Sequence, residues 1–208
     1  MSYGSYAICG FVKIISFSTK YIHYGLNLSD YKYSFSKKDF FIHIAKIAKY
    51  KGQHLAALAF KKTNEKLKIA GNIEDPLYYW MVLKPLLCCL RNVSYLGEIQ
   101  EINDYLCGAK ALIQTPRWFD AFPLVILEAF ASGTPVISFS EGGVPEQIIH
   151  GFNGYLCKEK DDIIAAVNNI SQINLKDCRA YAEEYFPVRR MANEYMELYE
   201  KVLSGETW

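Results

Sequence analysis

From residue 39 onward, short apolar runs alternate with longer segments in which apolar residues recur at helical spacing. Such alternation is typical of repeated βα units, which build a parallel sheet covered by helices. We expect strands at 40–45, 67–71, 93–97, 111–114, 136–139 and 154–157. Helices are expected at 52–62, 76–90, 101–108, 123–131, 145–149, 160–171, 175–185 and 189–203, with Phe186 and Pro187 separating the last two. The pattern predicts an α/β fold.

The first 38 residues do not follow this alternation. They are rich in Tyr, Ser and Phe and predict at most one strand, at 7–17. We therefore divide the chain into an N-terminal segment, residues 1–30, and a domain at residues 31–208. The segment would be a connector or the remnant of a preceding domain.

A predicted helix within WFDAFPLVILEAFASGTPV, residues 118–136, is apolar on most sides yet carries one carboxylate, Glu128. Pro123 suits its first position, and Gly133 suits the residue after its end. A buried carboxylate is destabilising unless it is hydrogen-bonded or paired. Two interpretations remain open. In the first, Glu128 has a structural role and reaches solvent or pairs with a lysine. In the second, it accepts hydrogen bonds from ligand hydroxyls. In the second case Asp120 would hold another polyol, with an anion at the first turn between them, as in a nucleotide sugar.

Two other loops are expected at the same edge of the sheet, where open α/β sheets bind ligands. Lys46, Lys49 and Lys51 surround the start of the first helix, a position that disfavours cations unless an anion lies between them and the helix dipole. Lys46 and Lys51 are thus candidates for binding a diphosphate, although a polar loop with solvated lysines fits equally well. Gly142 and Gly143 would let the backbone approach a ligand closely, or would simply form a tight turn.

Composition excludes several classes of function. The 208 residues are 51% hydrophobic and 22% charged with a net charge of +1, which indicates a globular protein and argues against nucleic acid as a partner. No apolar run is long enough for a bilayer span or preceded by a basic leader, so we expect a cytoplasmic protein with at most peripheral membrane association. The six cysteines and four histidines lack metal-binding spacing, so no metal site is expected. A nicotinamide-dependent oxidoreductase is disfavoured because GxGxxG is missing after the first strand.

Several stretches of residues 21–203 occur in a recognisable order. They are YIHYGLN, IAKIAKYKG, LKIAG, VSYLGEI, DAFPLVILEAFASGTPVI and GGVPEQIIHGFNGYL. Together they resemble glycosyltransferase family 4, the group 1 glycosyltransferases of GT-B architecture, and specifically their C-terminal, donor-binding domain. The resemblance implies a Rossmann-like parallel sheet flanked by helices.

The resemblance also assigns roles to individual residues. Lys46 and Lys51 match the basic pair that neutralises the donor diphosphate, and Glu128 matches the acid that binds the ribose hydroxyls. Asp120 matches the acid that contacts the transferred sugar and belongs to the catalytic environment, while Ile99 lies near the nucleobase. The remaining residues of the expected donor site are Phe122, Pro123, Leu124, Val125, Gly142 and Gly143.

Three of these positions depart from the family pattern. Lys46 stands where the family has Arg, so the bidentate fork of a guanidinium is lost. Asp120 is one methylene shorter than the Glu of the pattern. Pro123 often corresponds to Gly in the family and removes one backbone donor from the phosphate cradle, which leaves Leu124 and Val125 to serve.

The resemblance implies the donor-binding half of a retaining glycosyltransferase that uses a UDP-, GDP- or ADP-sugar without a cofactor or an obligatory metal. In the family the acceptor pocket lies mainly in an N-terminal domain, for which residues 1–20 are too few. The expected partners are that domain, on a separate or longer chain, or a second copy of this chain. A different hypothesis is a non-catalytic module that binds a partner chain or itself. The sequence does not identify the base, the sugar or the acceptor.

Overall fold

The computed structural model describes residues 21–205, in which six strands form one parallel sheet. The strands are β1 Phe41–Ile44, β2 Leu67–Ala70, β3 Val93–Tyr95, β4 Leu112–Gln114, β5 Val136–Phe139 and β6 Gly154–Cys157. Their order across the sheet is β3-β2-β1-β4-β5-β6. Each predicted strand from residue 40 onward is found within two residues of its expected bounds, which confirms the α/β fold. The strand expected at 7–17 lies outside the described residues.

The helices follow the predicted pattern. They are α1 Gln53–Phe60, α2 Pro76–Tyr78, α3 Lys84–Cys89, α4 Ile102–Gly108, α5 Leu124–Ala131, α6 Val144–Gln147, α7 Lys160–Asn169, α8 Leu175–Tyr185 and α9 Val188–Leu203. A π-helical segment, Tyr79–Leu83, joins α2 to α3 in one continuous run. Short 3-10 turns occupy Leu28–Asp30, Lys49–Lys51 and Ile170–Gln172.

Helices cover both faces of the sheet because its strands are apolar on both sides. Successive strand residues point to opposite faces, so Phe41 packs with α1 and α7 while Ile42 packs with α4, α5 and α8. All four residues of β1 are buried, as are those of β5. This burial on both sides explains why the strands read as continuous apolar runs in the sequence.

Residues 21–26 lie beside the junction of α8 and α9, where Phe186 and Pro187 end one helix before the next begins. The N–H of Leu26 donates to the carbonyl of Phe186 at 2.8 Å, and the N–H of Val188 donates to the carbonyl of Leu26 at 2.9 Å. The end of the predicted N-terminal segment therefore contacts the C-terminal helices. The division of the chain at residue 30 stays a prediction.

The loops that follow β1 and β4 touch through Gly52. This glycine has a φ of +71°, in the left-handed region, and a Cβ placed on it would lie 2.0 Å from the carbonyl oxygen of Thr115. A side chain cannot fit there without moving the backbone. Gly52 thus fixes the distance between the loop that carries Lys51 and the loop that carries Asp120.

Within residues 21–205, none of the helices has both the length and the apolar composition needed to cross a bilayer.

Replacing Gly52 with alanine should destabilise the fold more than replacing Gly151. Both glycines have positive φ, +71° and +81°, but a Cβ on Gly151 would have no atom within 4 Å. A left-handed backbone alone costs a non-glycine residue about 1–2 kcal/mol, which is the loss expected for Gly151→Ala. Gly52→Ala should lose more because the Thr115 backbone must also shift. Urea unfolding of both variants measures the difference, and equal losses would contradict this packing.

Candidate functional site

The candidate site lies where the winding of the sheet reverses. β1 and β4 are neighbours in the sheet although two strands separate them in the chain, and ligands of such sheets bind in the crevice that opens at this point. A cavity of about 280 Å³ occupies it. Six residues expected from the sequence contribute to its lining: Lys46, Lys51, Asp120, Pro123, Leu124 and Val125.

Lys51 and Asp120 form an ion pair across this cavity. The Nζ of Lys51 lies 2.8 Å from the Oδ2 of Asp120, and the two side chains are 24% and 30% exposed. Lys51 comes from the loop after β1 and Asp120 from the loop after β4, so the contact depends on the adjacency of these strands. The pair places one cation and one carboxylate at the same end of the crevice.

Lys46 pairs with Glu74, a residue that the sequence analysis did not identify. The Nζ of Lys46 lies 2.7 Å from Oε2 of Glu74, and the hydroxyl of Tyr50 donates to Oε1 of the same carboxylate. The hydrogen bond from Lys46 and then that from Tyr50 lower the pKa of Glu74. Glu74 lies in the loop after β2, beyond any motif that the sequence analysis used.

The first turn of α5 borders the cavity with free backbone donors. The helix begins at Leu124, with Pro123 as its N-cap at a φ of −64°, so the expected first helical position for Pro123 is corrected by one residue. In the described part of the chain, the N–H groups of Leu124 and Val125 have no protein acceptor. Together with the positive end of the helix dipole, they can bind an anion.

Glu128 pairs with a tyrosine rather than with a lysine. Its Oε1 accepts a hydrogen bond from the hydroxyl of Tyr31 at 3.2 Å. Burial raises the pKa of Glu128 above its usual value, although the bond from Tyr31 acts in the opposite direction. Burial and the nearby carboxylate also raise the pKa of Tyr31 to about 12. The half-buried carboxylate on α5 thus has a single protein donor among the described residues.

Gly142 and Gly143 lie close to backbone atoms of the loop that contains Asp120 and Ala121. The N–H of Gly143 donates to the carbonyl of Asp120 at 2.8 Å. A Cβ on Gly142 would lie 2.3 Å from that carbonyl oxygen, and one on Gly143 would lie 1.8 Å from the carbonyl oxygen of Ala121. The structure therefore favours the tight-turn interpretation, in which these glycines hold the Asp120 loop.

Five predicted residues lie outside the cavity lining: Ile99, Phe122, Glu128, Gly142 and Gly143. Phe122 is 5% exposed, and its ring stacks on His23 at 5.0 Å and packs edge-on against Phe186 at 6.0 Å. Its side chain belongs to the core, so the predicted ligand contact of Phe122 would have to involve its backbone. Ile99, after β3, is half-buried and packs against the same core cluster.

No three His, Cys, Asp or Glu side chains within residues 21–205 are grouped so that they could hold a metal ion.

The chain is similar to known proteins in sequence and in fold. The family model for glycosyl transferases group 1 matches residues 30–185. The chain is 29% identical over 179 residues to the N-acetyl-alpha-D-glucosaminyl L-malate synthase of Bacillus anthracis, covering 79% of this chain and 46% of that relative. It is also 34% identical over 85 residues to glycogen synthase of Mycobacterium tuberculosis, which is 39% of this chain and 20% of the relative.

Two solved structures share the fold. Anabaena Alr3699/HepE, in complex with UDP-glucose, superposes with a TM-score of 0.77 at 22% identity, over 88% of this chain and 57% of that one. Sucrose-phosphate synthase from Thermosynechococcus elongatus gives 0.76 at 19% identity, over 89% and 53%. The chain thus spans about half the length of these proteins. Because the family model matches most of its residues, the chain belongs to the group 1 glycosyltransferases.

Proposed function

We propose that this chain is the donor-binding domain of a retaining glycosyltransferase, which transfers a sugar from a nucleoside diphosphate sugar to an acceptor. The observation that carries the proposal is the cavity at the reversal point of the sheet. It brings together two lysines, a carboxylate and the free N–H groups of α5. The complex of HepE with UDP-glucose supports a nucleotide sugar as the ligand class.

The donor diphosphate would bind at the first turn of α5, between Lys46 and Lys51. There it would accept hydrogen bonds from the N–H groups of Leu124 and Val125, and both lysines would neutralise the charge that develops on it as a leaving group. Because Lys51 is paired with Asp120 in the free chain, the arriving diphosphate would compete for that cation. Asp120 would then face the transferred sugar.

The ribose would bind at Glu128, four residues beyond Leu124 on α5. Residues four apart lie on the same face of a helix, so the carboxylate and the first-turn donors are aligned along one side. A ligand with an anion and a vicinal diol at that spacing would engage both. In this proposal the nucleoside would lie beyond the diphosphate along α5, and the sugar would lie on the Asp120 side.

The full reaction would require a second domain that closes over the donor site. Transfer depends on excluding water and orienting an acceptor, and one domain with an open crevice supplies only the donor side. We propose that residues 31–208 form the donor domain, that residues 1–30 connect it to an acceptor-binding half, and that this half is the partner. The coverage of only 46% of the Bacillus anthracis relative supports a further domain.

One feature favours the alternative, a non-catalytic interaction module. α9 has 16 residues and buries none of them. Its exposed large apolar residues are Val188, Tyr195, Met196, Tyr199, Val202 and Leu203, of which the last five lie on one face. An apolar helix face of this kind is typical of a surface that meets another protein, such as a partner chain or a second copy of this chain.

A thermal-shift panel of UDP, GDP, ADP and their sugar conjugates should identify one nucleotide that stabilises the chain. At 100 times its dissociation constant, a ligand stabilises the folded state by about 2.7 kcal/mol. Lys51→Met should weaken binding at least about tenfold, the effect of losing a charged hydrogen bond.

The matched control is Lys110→Met. Lys110 is also ion-paired and 28% exposed, against 24% for Lys51, but it lies at the opposite edge of the sheet, just before β4. Loss of the Lys110 ammonium group should leave the affinity for the nucleotide unchanged. The donor-site proposal fails if no nucleotide shifts the transition at millimolar concentration, or if both variants weaken binding equally.

Glu128→Gln should stabilise the ligand-free chain at neutral pH while weakening nucleotide binding. Burial raises the pKa of this carboxyl in the folded state, so its ionised form is disfavoured there. This destabilisation of the folded chain by ionised Glu128 is present at pH 7. It disappears as the pH falls through the pKa of Glu128 in the folded state toward its unfolded value of about 4.3. The unfolding midpoint should therefore rise at pH 7, by roughly 2–4 °C per kcal/mol gained, and match wild type near pH 4.

Glu200→Gln, which neutralises an exposed glutamate of α9, should change neither stability nor affinity. A lower midpoint for Glu128→Gln at pH 7 would mean that the ionised carboxylate stabilises the fold. That result would contradict a net burial penalty on Glu128 in the ligand-free chain.

If α9 is an interface between copies, light scattering after size exclusion should give a mass above the monomer at tens of micromolar. The double variant Met196→Asp/Tyr199→Asp should restore the monomer mass. The control Leu77→Asp/Met81→Asp changes residues that are 74% and 70% exposed on another helical run and should not alter the mass. A monomer at every concentration would refute self-association through this face.

A further inference from the structure

We propose that Tyr31 is a positioning residue for Glu128: its hydroxyl holds the carboxylate in the orientation that receives the ribose hydroxyls of the donor. The inference rests on the proposed function and adds a residue to the same site. Neither motif spacing nor the family pattern assigned a role to Tyr31.

The geometry leaves the carboxylate open to a ligand. The Tyr31 hydroxyl donates to Oε1 of Glu128 at 3.2 Å, and it is the one donor to this carboxylate among residues 21–205. An ionised carboxylate has about four acceptor positions. One is taken by Tyr31, so two hydroxyls of a ribose can still be accommodated without displacing it.

Arg179 of α8 fixes the backbone around Tyr31 relative to the helix that carries Glu128. Its guanidinium donates to the carbonyl of Ala131, the last residue of α5, at 2.6 Å. The same group donates to the carbonyls of Leu28 at 3.4 Å and Tyr31 at 3.5 Å. One side chain therefore holds both the segment before β1 and the end of α5.

Asn103 of α4 fixes the next residue of that segment. Its Oδ1 accepts from the N–H of Lys32 at 3.0 Å, and its Nδ2 donates to the carbonyl of Lys32 at 2.9 Å. Nδ2 also donates to the hydroxyl of Ser132, just beyond α5, at 2.8 Å. Because the carbonyls of Leu28 and Tyr31 and the backbone of Lys32 are all bound, Tyr31 cannot move far from Glu128.

A fixed carboxylate benefits a ligand that binds it. A glutamate side chain loses rotamer freedom when it is immobilised, and an orientation held before binding removes part of that entropic cost. The contrasting explanation is that a half-buried tyrosine hydroxyl simply satisfies its hydrogen-bonding need. The two explanations differ in whether Tyr31 affects recognition of the ribose in particular.

The test measures the affinity of Tyr31→Phe and of wild type for two ligands. The first is whichever of UDP, GDP and ADP binds wild type, and the second is the 2′,3′-dideoxy analogue of that nucleotide. Wild type should prefer the ribose form. Tyr31→Phe should lose about 3- to 10-fold in affinity for the ribose form, the effect of one hydrogen bond, and bind the dideoxy form as wild type does. Tyr33→Phe is the control, because its hydroxyl, in the same segment, has no hydrogen-bond partner among the described residues.

Three results would overturn the inference. Equal weakening of both ligands in Tyr31→Phe would show a merely structural role, and an unchanged ribose preference would show none, although the donor site would stand in either case. Failure of wild type to bind any of the three nucleotides would overturn the proposed function itself and the inference with it. Circular dichroism melts of Tyr31→Phe verify that the variant is folded in each comparison.

Discussion

The close contact between Gly52 and the Thr115 carbonyl is the constraint on which the site depends. The sheet makes β1 and β4 neighbours, but only a residue without a side chain lets the loops beyond them meet. That contact brings Lys51 within 2.8 Å of Asp120 and leaves the first turn of α5 at the border of the crevice. A wider separation would keep the same fold and leave its charged groups too far apart to act on one ligand.

Among the described residues, the charged groups in and beside the crevice already have partners in the ligand-free chain. Lys51 contacts Asp120, Lys46 contacts Glu74, and Glu128 accepts from a tyrosine hydroxyl. Such pairing avoids the large cost of an isolated charge in a partly buried site. It also means that ligand affinity is a difference between two sets of interactions, because each new contact replaces or supplements one that already exists. Shape and the spacing of groups would therefore discriminate between ligands more strongly than net charge does.

The sequence was sufficient for the fold and for one edge of the site. Strands that are buried on both faces produce continuous apolar runs, and these located β1 to β6 and the loops beyond them. The partners Glu74 and Tyr31 were missed because three-dimensional folding brings them to the site, Tyr31 from 97 residues away from Glu128. Phe122 shows a local limit of the sequence pattern: it adjoins the site in sequence, but its side chain is buried in the core. Proximity in sequence fixes where a backbone lies and says little about where its side chain points.

The hydrogen bonds on either side of Leu26 also have a mechanical consequence. The backbone on its way into the domain is pinned to the two residues that flank Pro187, so the incoming segment and α9 cross at one point. Beyond that crossing, α9 extends for 16 residues, about 24 Å at 1.5 Å per residue, without a buried side chain. A rotation of a few degrees at the crossing would therefore be amplified along this lever arm into a displacement of an ångström or more at its tip, while the sheet and the crevice stayed in place.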